Sequence, residues 1–224
     1  MVFAILAACS SSPPDPCPQG MVSIQAGAVT LGVEGERKLW EQAPRTATLE
    51  SYCIDVYEYP NREGVLPRAS VTWTEANEAC QAEGKRLCTS DEWGRACRGT
   101  EGRRFAYGNE RDDQRCNTPL KGSGPQGAKL VAPSGSFEAC VSPEGVMDLN
   151  GNLSEWVSDP WSEFVEPFHP DPGSRAQPER WRALRGGTMW LETFYGQDCT
   201  SRHGHDKNFF RGDDDGFRCC ADLN

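Results

Sequence analysis

The chain has 224 residues, a formal net charge of −10 and a hydrophobic content of 37%. The acidic balance disfavours a nucleic-acid binder and electrostatic docking on an anionic membrane, because both need a basic surface. The chain carries 11 cysteines and no C-x2-C pair, which favours disulfides in an oxidising compartment over a zinc site.

The chain opens on an apolar run, Met1 to Ala8, which is too short to span a bilayer and resembles the end of a secretory signal. Cys9 completes a Leu-Ala-Ala-Cys sequence similar to a bacterial lipobox, in which the cysteine receives a lipid. We therefore expect a truncated signal over residues 1–9, a flexible tether over 10–16 and one domain over 17–224. An accidental apolar start is the alternative. Because no basic segment precedes the apolar run, we expect the true start codon to lie upstream.

A lipid on Cys9 predicts a place in a bacterial cell envelope, on the periplasmic or outer-membrane side, with membrane contact through the lipid only. It also leaves ten of the 11 cysteines, an even number that allows five disulfides. Cys219 and Cys220 are neighbours, and a bond between neighbours strains the peptide that joins them. We therefore expect each of these two cysteines to reach a distant partner.

Two strands and a turn are the first predicted elements, over residues 21–32, where apolar residues partly alternate and a glycine ends the run. A β-branched and aromatic run then predicts one strand from Thr46 to Tyr59, ended by Pro60.

Two short helices follow, each predicted by a capping box that begins at Thr72 or Thr89. Gly84 and Gly99 are their expected ends. Beyond residue 100 we predict no helix, only short apolar stretches between turn residues. The pattern is that of an α+β chain dominated by loops.

A series of motifs runs along the chain in order: Met21–Gly32, Ile54–Glu58, Gly84–Trp93 (GKRLCTSDEW), Tyr107–Asn109, Gly145–Trp156 (GVMDLNGNLSEW), Leu184–Thr188 (LRGGT) and Gly216–Cys219 (GFRC). They resemble the motifs of the formylglycine-generating enzyme family, also called sulfatase-modifying factor domains. The resemblance implies a C-type-lectin-like fold: loop-rich, with small sheets, two short helices and disulfide staples. It also implies a disulfide between Cys97 and Cys219.

Authentic members of that family oxidise a sulfatase cysteine to formylglycine with oxygen and copper(I), which two thiolates bind just after the G-G-S motif. The corresponding positions here hold Leu191 and Gly196, neither of which ligates a metal. Cys199 is the one cysteine of this segment and is either a displaced ligand or a structural half-cystine. We therefore do not expect copper, and the sequence leaves open whether the chain is an enzyme.

Two further groups of residues are candidate metal ligands. His203 and His205 alternate, so on an extended segment both face one side, as a non-haem iron site would need; the alternative is a polar loop. The resemblance implies calcium at Asn152, Leu153 and Glu155. The alternative there is a hydrogen-bonded turn with Glu155 buried against an arginine.

The favoured hypothesis is a lipid-anchored, extracytoplasmic and non-catalytic domain that binds or scaffolds a protein or glycan ligand. We place its ligand groove near Thr188, Trp190 and Tyr195. The alternatives are a metal-dependent oxidase or oxygenase with altered ligands, and a structural surface lipoprotein without a small ligand. We expect a run of three aspartates, 213–215, to form a solvated turn.

Overall fold

The computed structural model describes residues 16–34, 43–119, 130–161, 178–189, 196–208 and 214–223. These ranges contain ten strands and two α-helices: β1 (Met21–Ile24), β2 (Gly27–Leu31), β3 (Arg45–Leu49), β4 (Tyr52–Asp55), α1 (Trp73–Ala82), β5 (Arg86–Leu87), α2 (Ser90–Arg98), β6 (Ser154–Pro160), β7 (Trp181–Arg185), β8 (Arg202–Asp206), β9 (Asp215–Phe217) and β10 (Cys219–Asp222). A 3-10 turn over Pro178–Arg180 precedes β7. Within these ranges no helix is long and apolar enough to cross a membrane. Cys9 lies outside them.

Both helices begin where the capping boxes predict. The Thr72 hydroxyl accepts a hydrogen bond from the Glu75 backbone N–H, and the Glu75 carboxylate accepts one from the Thr72 N–H. Thr89 and Glu92 make the same reciprocal pair in front of α2. Each pair satisfies two backbone donors that the first turn of a helix leaves unpaired.

The ten strands form two four-stranded sheets and one two-stranded hairpin. The first has the order β1-β4-β10-β5, with antiparallel pairs, so the last strand in sequence lies between two early ones. β2 and β3 form a separate antiparallel hairpin. The second sheet has the order β8-β7-β6-β9, in which β6 and β9 are parallel and the other pairs antiparallel.

The single strand predicted from Thr46 to Tyr59 is wrong, because the segment forms β3 and β4 in different sheets. The break at residues 50 and 51 is stabilised by the Ser51 hydroxyl, which accepts a hydrogen bond from Ala26 N–H at 2.9 Å. β4 also ends before Pro60. Its last residue is the buried Asp55, whose carboxylate accepts hydrogen bonds from Lys85 and from the Cys219 backbone.

The core consists of two clusters of buried side chains. The larger is built around Ile54 and Trp93, and the smaller around Trp156 and Phe217. All four side chains are fully buried, and each such burial contributes about 1.5–3 kcal/mol to folding.

Five disulfides staple the domain: Cys17–Cys53, Cys80–Cys219, Cys88–Cys220, Cys97–Cys199 and Cys116–Cys140. Cys219 and Cys220 each reach a distant partner, as predicted. Successive residues of a strand point to opposite faces, which sends these two side chains to different parts of the core.

The predicted disulfide between Cys97 and Cys219 is wrong. Cys219 pairs with Cys80 on α1, and both belong to the smaller core cluster. Cys97 lies in the larger cluster, where it pairs with Cys199. The two clusters separate Cys97 from Cys219, so the predicted bond does not form.

Candidate functional site

A buried ion pair lies at the centre of the domain. The Arg218 guanidinium donates two hydrogen bonds of 2.7 Å to the two oxygens of Glu155, and Trp93 Nε1–H donates a third at 2.8 Å. Arg218 also donates to the Met147 carbonyl at 2.9 Å. Burial by itself lowers the pKa of Arg218, but the charge and hydrogen bonds of Glu155 outweigh it, so the pKa is raised. This pair is therefore a fixed structural charge.

Three buried carboxylates, those of Glu58, Asp148 and Glu155, lie around this one arginine. Burial, together with the charges of Asp148 and Glu155, raises the pKa of Glu58 well above its usual range. Burial likewise raises the pKa of Asp148 to about 6. The Glu58 carboxylate accepts a hydrogen bond of 2.7 Å from the Asn152 amide. The centre thus holds more carboxyl groups than the one arginine can pair with, and sequence reasoning gave Glu58 no role.

The predicted calcium ligands lie beside this centre. Asn152, at φ 57°, turns its amide oxygen toward Asn117, which donates a hydrogen bond of 2.8 Å. Both Glu155 oxygens accept from Arg218, the arrangement named as the alternative to a metal site. The excess of buried carboxylates fits a hard cation, whereas the donors that face these oxygens would have to turn away. Calcium at Asn152, Leu153 and Glu155 stays a prediction.

The segment that carries the copper cysteines in the family has no thiolate pair here. Leu191 lies outside the described residues, and Gly196 is buried at φ 72°. Cys199 forms a disulfide with Cys97, so its sulfur is a half-cystine and not a metal ligand in this structure. These residues do not fit copper(I), which needs two thiolates in this segment.

The two predicted histidines lie on a strand and not in a polar loop. His203 and His205 alternate on β8, and their rings meet edge to face with centroids 4.9 Å apart. The Nδ1 atom of His205 lies 2.9 Å from Oδ2 of Asp215. The solvated turn predicted for residues 213–215 is wrong for Asp215, which is fully buried at the start of β9. The sequence gave no signal that Asp215 would meet β8.

A cleft opens between the end of β2, the start of α2 and the Cys199 loop. We call it the arginine cleft, and its lining residues are Leu31, Gly32, Ser90, Asp91, Arg98, Arg185, Cys199 and Thr200. The one acidic residue of this lining, Asp91, forms an ion pair with Arg45.

The two arginines of the cleft are bound to backbone carbonyls. Arg185 donates to the Cys199 carbonyl at 2.8 Å, and Arg98 donates to Gly32 and Gly102. In the described part of the chain, neither has a carboxylate in hydrogen-bond contact, and the Nε of each is buried without a hydrogen-bond partner.

Burial, reinforced by repulsion from Arg202, lowers the pKa of Arg185 to about 9. Burial also lowers the pKa of Arg98. Both arginines remain cationic at neutral pH, so the cleft suits an anionic group.

The groove near Thr188, Trp190 and Tyr195 stays a prediction. Thr188 is buried, and the other two residues lie outside the described ranges. The arginine cleft was missed because its residues come from four separate segments of the chain, none of which is a motif for anion binding.

Residues 60–223 match the family described as "Sulfatase-modifying factor enzyme 1-like domain". The chain belongs to this family, as its motifs indicated.

Relatives with and without enzymatic activity in their names are similarly close. "Inactive C-alpha-formylglycine-generating enzyme 2" of Bos taurus is 30% identical over 168 residues, covering 70% of this chain and 50% of the relative. "Formylglycine-generating enzyme" of Streptomyces coelicolor is 32% identical over 158 residues, covering 63% of this chain and 46% of the relative. The chain therefore spans about half the length of these relatives.

Solved structures share the fold. CarF superposes with a TM-score of 0.64 at 16% identity, covering 92% of this chain and 99% of CarF. Treponema denticola variable protein 1 gives a TM-score of 0.65 at 17% identity, covering 90% and 94%. The predicted fold class is confirmed: an α+β, C-type-lectin-like domain of the sulfatase-modifying factor type, with two helices, small sheets and five disulfides.

Proposed function

We propose that this chain is a non-catalytic member of its family, held in a bacterial cell envelope by a lipid on Cys9, that binds a ligand with an acidic group. One observation carries the non-catalytic part of the proposal. Ten of the 11 cysteines are in disulfides, and the eleventh is Cys9, so the domain offers no pair of thiolates to copper(I). A relative that is called inactive supports the same conclusion.

A thiol count and a copper titration on one sample test this part. The chain with Cys9→Ser is purified under oxidising conditions, and the formylglycine-generating enzyme of Streptomyces coelicolor serves as the positive control. We expect no free thiol, no stoichiometric copper(I) uptake and no oxygen consumption with a cysteine peptide derived from a sulfatase. Copper-dependent formation of formylglycine would contradict the proposal.

The arginine cleft supports the binding role. Arg98 and Arg185 keep their charge at neutral pH, and their Nε–H groups make no hydrogen bond in the described part of the chain. A carboxylate in the cleft would offset the charge of the two arginines and reduce the repulsion between Arg185 and Arg202. The chain is strongly acidic overall, and the acidic residue of the cleft lining, Asp91, is paired with Arg45, which leaves the two cleft arginines to an acidic ligand.

Two probes distinguish the sources of such a carboxylate. Uronic-acid oligosaccharides represent acidic glycans, and Glu-rich peptides represent acidic proteins. We expect saturable binding of one of them by calorimetry and loss of that binding in Arg185→Met. Binding that survives this substitution would place the ligand elsewhere.

The lipid anchor is tested separately by expressing the full chain in a bacterium. We expect the chain in the membrane fraction with an acyl mass increment on Cys9, and Cys9→Ser in the soluble fraction. Equal partition of the two forms would remove the anchor from the proposal and leave the binding role untouched.

A metal-dependent oxidase with altered ligands is the second candidate. It is favoured by the approach of two histidines and one carboxylate, since donor atoms of His203, His205 and Asp215 lie within 4.8 Å of one another. A two-histidine, one-carboxylate set with open positions is typical of iron(II) oxygenases. Oxygen consumption after reconstitution with iron(II) would favour this candidate, and its absence would exclude it.

A further inference from the structure

The two edge strands of the second sheet meet through their side chains. β8 and β9 lie at opposite ends of the order β8-β7-β6-β9, yet His205 on β8 contacts Asp215 on β9. His203 lies two residues earlier on β8, so its side chain leaves the strand on the same face as that of His205. The fold therefore brings together three metal-ligating side chains from two separate strands.

The distances are close to those of a bound ion. In a tetrahedral zinc site with ligands at about 2.0–2.1 Å, neighbouring donor atoms lie about 3.4 Å apart. His205 Nδ1 and Asp215 Oδ2 are 2.9 Å apart. All three donors lie within 4.8 Å of one another, so an ion equidistant from them would lie no more than about 2.8 Å from each donor. Side-chain movements of less than about 1 Å would thus complete the coordination.

Asp215 gives the second, independent indication of a ligand. Its side chain is fully buried, and its Oδ1 atom has no hydrogen-bond partner among the described residues. An unsatisfied buried carboxylate oxygen is unfavourable, so such atoms in native proteins need an explanation such as a bound ion. His205 retains 14% exposure of its side chain and gives an ion a route to the site.

Gly204 fixes the direction of the two histidines. It lies between them on β8 with the Trp161 indole against it, and a Cβ atom there would come within 2.1 Å of the indole ring. The aromatic ring fills the opposite face of the strand, so β8 cannot rotate its histidines away without losing this packing. The ligand pair is thereby held in place before any ion binds.

We propose that His203, His205 and Asp215 bind one divalent transition-metal ion of the zinc type and join the two edges of the second sheet. Two imidazoles favour zinc, cobalt or copper(II) over calcium and magnesium, which prefer oxygen ligands. Three protein ligands leave a fourth position for water or a ligand group. The site goes beyond the proposed binding function and depends on neither the arginine cleft nor the lipid anchor.

Cobalt(II) and zinc(II) titrations of the full chain test the site. Cobalt(II) in a tetrahedral nitrogen and oxygen environment gives a visible absorption band, and zinc competes for it. Trp156 adds a local reporter, because its ring centroid lies 6.1 Å from that of His205 and cobalt quenches nearby fluorescence. We expect one equivalent of metal to bind, to develop the band, and to raise the unfolding temperature.

Two substitutions and one control assign the ligands. His205→Gln and Asp215→Asn should each weaken zinc binding by at least about 100-fold. Even a residue that only hydrogen-bonds to a metal ligand contributes 10–100-fold to metal affinity. His169→Gln, which changes the one histidine of the chain that is not a proposed ligand, should bind metal as the unchanged chain does. If Asp215→Asn fails to fold, His205→Gln decides, because that side chain is partly exposed. No stoichiometric binding, or equal binding by His205→Gln, would leave a plain histidine–aspartate hydrogen bond and overturn the proposal.

Discussion

Two buried arginines of this domain meet opposite environments. Arg218 forms two hydrogen bonds of 2.7 Å with Glu155, and its pKa is raised. Arg185 donates to a backbone carbonyl, has no carboxylate in hydrogen-bond contact within the described ranges, and has its pKa lowered to about 9. Arg218 is thus paired directly with a carboxylate, whereas Arg185 is held by a backbone carbonyl and only by the more distant charges of Asp159 and Asp91. A buried charge that the fold leaves unpaired is a candidate for function, whereas a paired one supports the structure.

The largest expected effect is the loss of the paired charge. Arg218→Met should lower the free energy of unfolding by about 3–5 kcal/mol, because it leaves Glu155 buried without its counter-charge. Urea denaturation under oxidising conditions measures the change. Arg103→Met is the matched control; its exposed pair with Glu101 should contribute less than about 1 kcal/mol. Equal effects of the two substitutions would contradict the contrast.

The excess of negative charge around Arg218 predicts a dependence on pH. The pKa of Asp148 is about 6 in the folded chain and about 3.9 in an unfolded one. Between these values the folded state binds more protons, so the contribution of Asp148 to the free energy of unfolding decreases as the pH rises through this window. The whole difference is on the order of 3 kcal/mol.

Denaturation at pH 5 and pH 7 checks this dependence against Asp148→Asn, which should be less sensitive to pH. The same measurements, repeated with calcium, test the predicted calcium site. If Asn152, Leu153 and Glu155 bind it, millimolar calcium should stabilise the unchanged chain most at pH 7, where the carboxylates are ionised. If the unchanged chain became more stable from pH 5 to pH 7 and Asp148→Asn removed that gain, the result would contradict a raised pKa of Asp148.

For Arg185 we expect the opposite result from Arg218, namely a small change in stability and a large loss of ligand binding. Arg185→Met should change the free energy of unfolding by no more than about 1 kcal/mol, since the guanidinium that it removes donates to a backbone carbonyl and forms no ion pair among the described residues. The same change should weaken binding of an acidic ligand at least about tenfold, the contribution of one charged hydrogen bond. Denaturation and calorimetry on one preparation measure both. A large loss of stability with unchanged affinity would make Arg185 a structural residue.

The smallest expected effect comes from a substitution beside the arginine cleft that should lower stability without changing ligand affinity. Thr89→Ala removes the side-chain cap of α2, next to Ser90 in the cleft lining, and should destabilise by about 1 kcal/mol. Affinity for the acidic ligand should stay within about twofold, because the arginines are untouched. If Thr89→Ala weakened binding as much as Arg185→Met, the helix start rather than the arginine would hold the ligand.

Local features of the fold could be predicted from the sequence. The caps at Thr72 and Thr89 depend on residues three positions apart, so the pattern alone located both helices. The division of Thr46–Tyr59 into two strands depends on which sheet each half joins, and no local pattern states that. The pairing of Cys97 likewise depends on the separation of two core clusters, which exists only in the folded chain.

The candidate sites likewise include residues that the sequence could identify and residues that it could not. The alternation of His203 and His205 was visible in the sequence, and the structure places both on one strand. Their carboxylate partner, Asp215, stands in a run of aspartates that is typical of a solvated turn. Arg185 appeared only as part of a family motif, because the lack of a carboxylate in hydrogen-bond contact with it, among the described residues, is a property of its three-dimensional surroundings.

The central position of β10 has a consequence for how the chain is made. The last strand fills the middle of the first sheet, and its cysteines pair across 139 and 132 residues. Cys80 and Cys88 therefore cannot form their native disulfides until almost the whole chain has been synthesised, and until then Cys97 is a competing partner. We expect the yield of the native domain to depend on a catalyst that reshuffles early, incorrect disulfides.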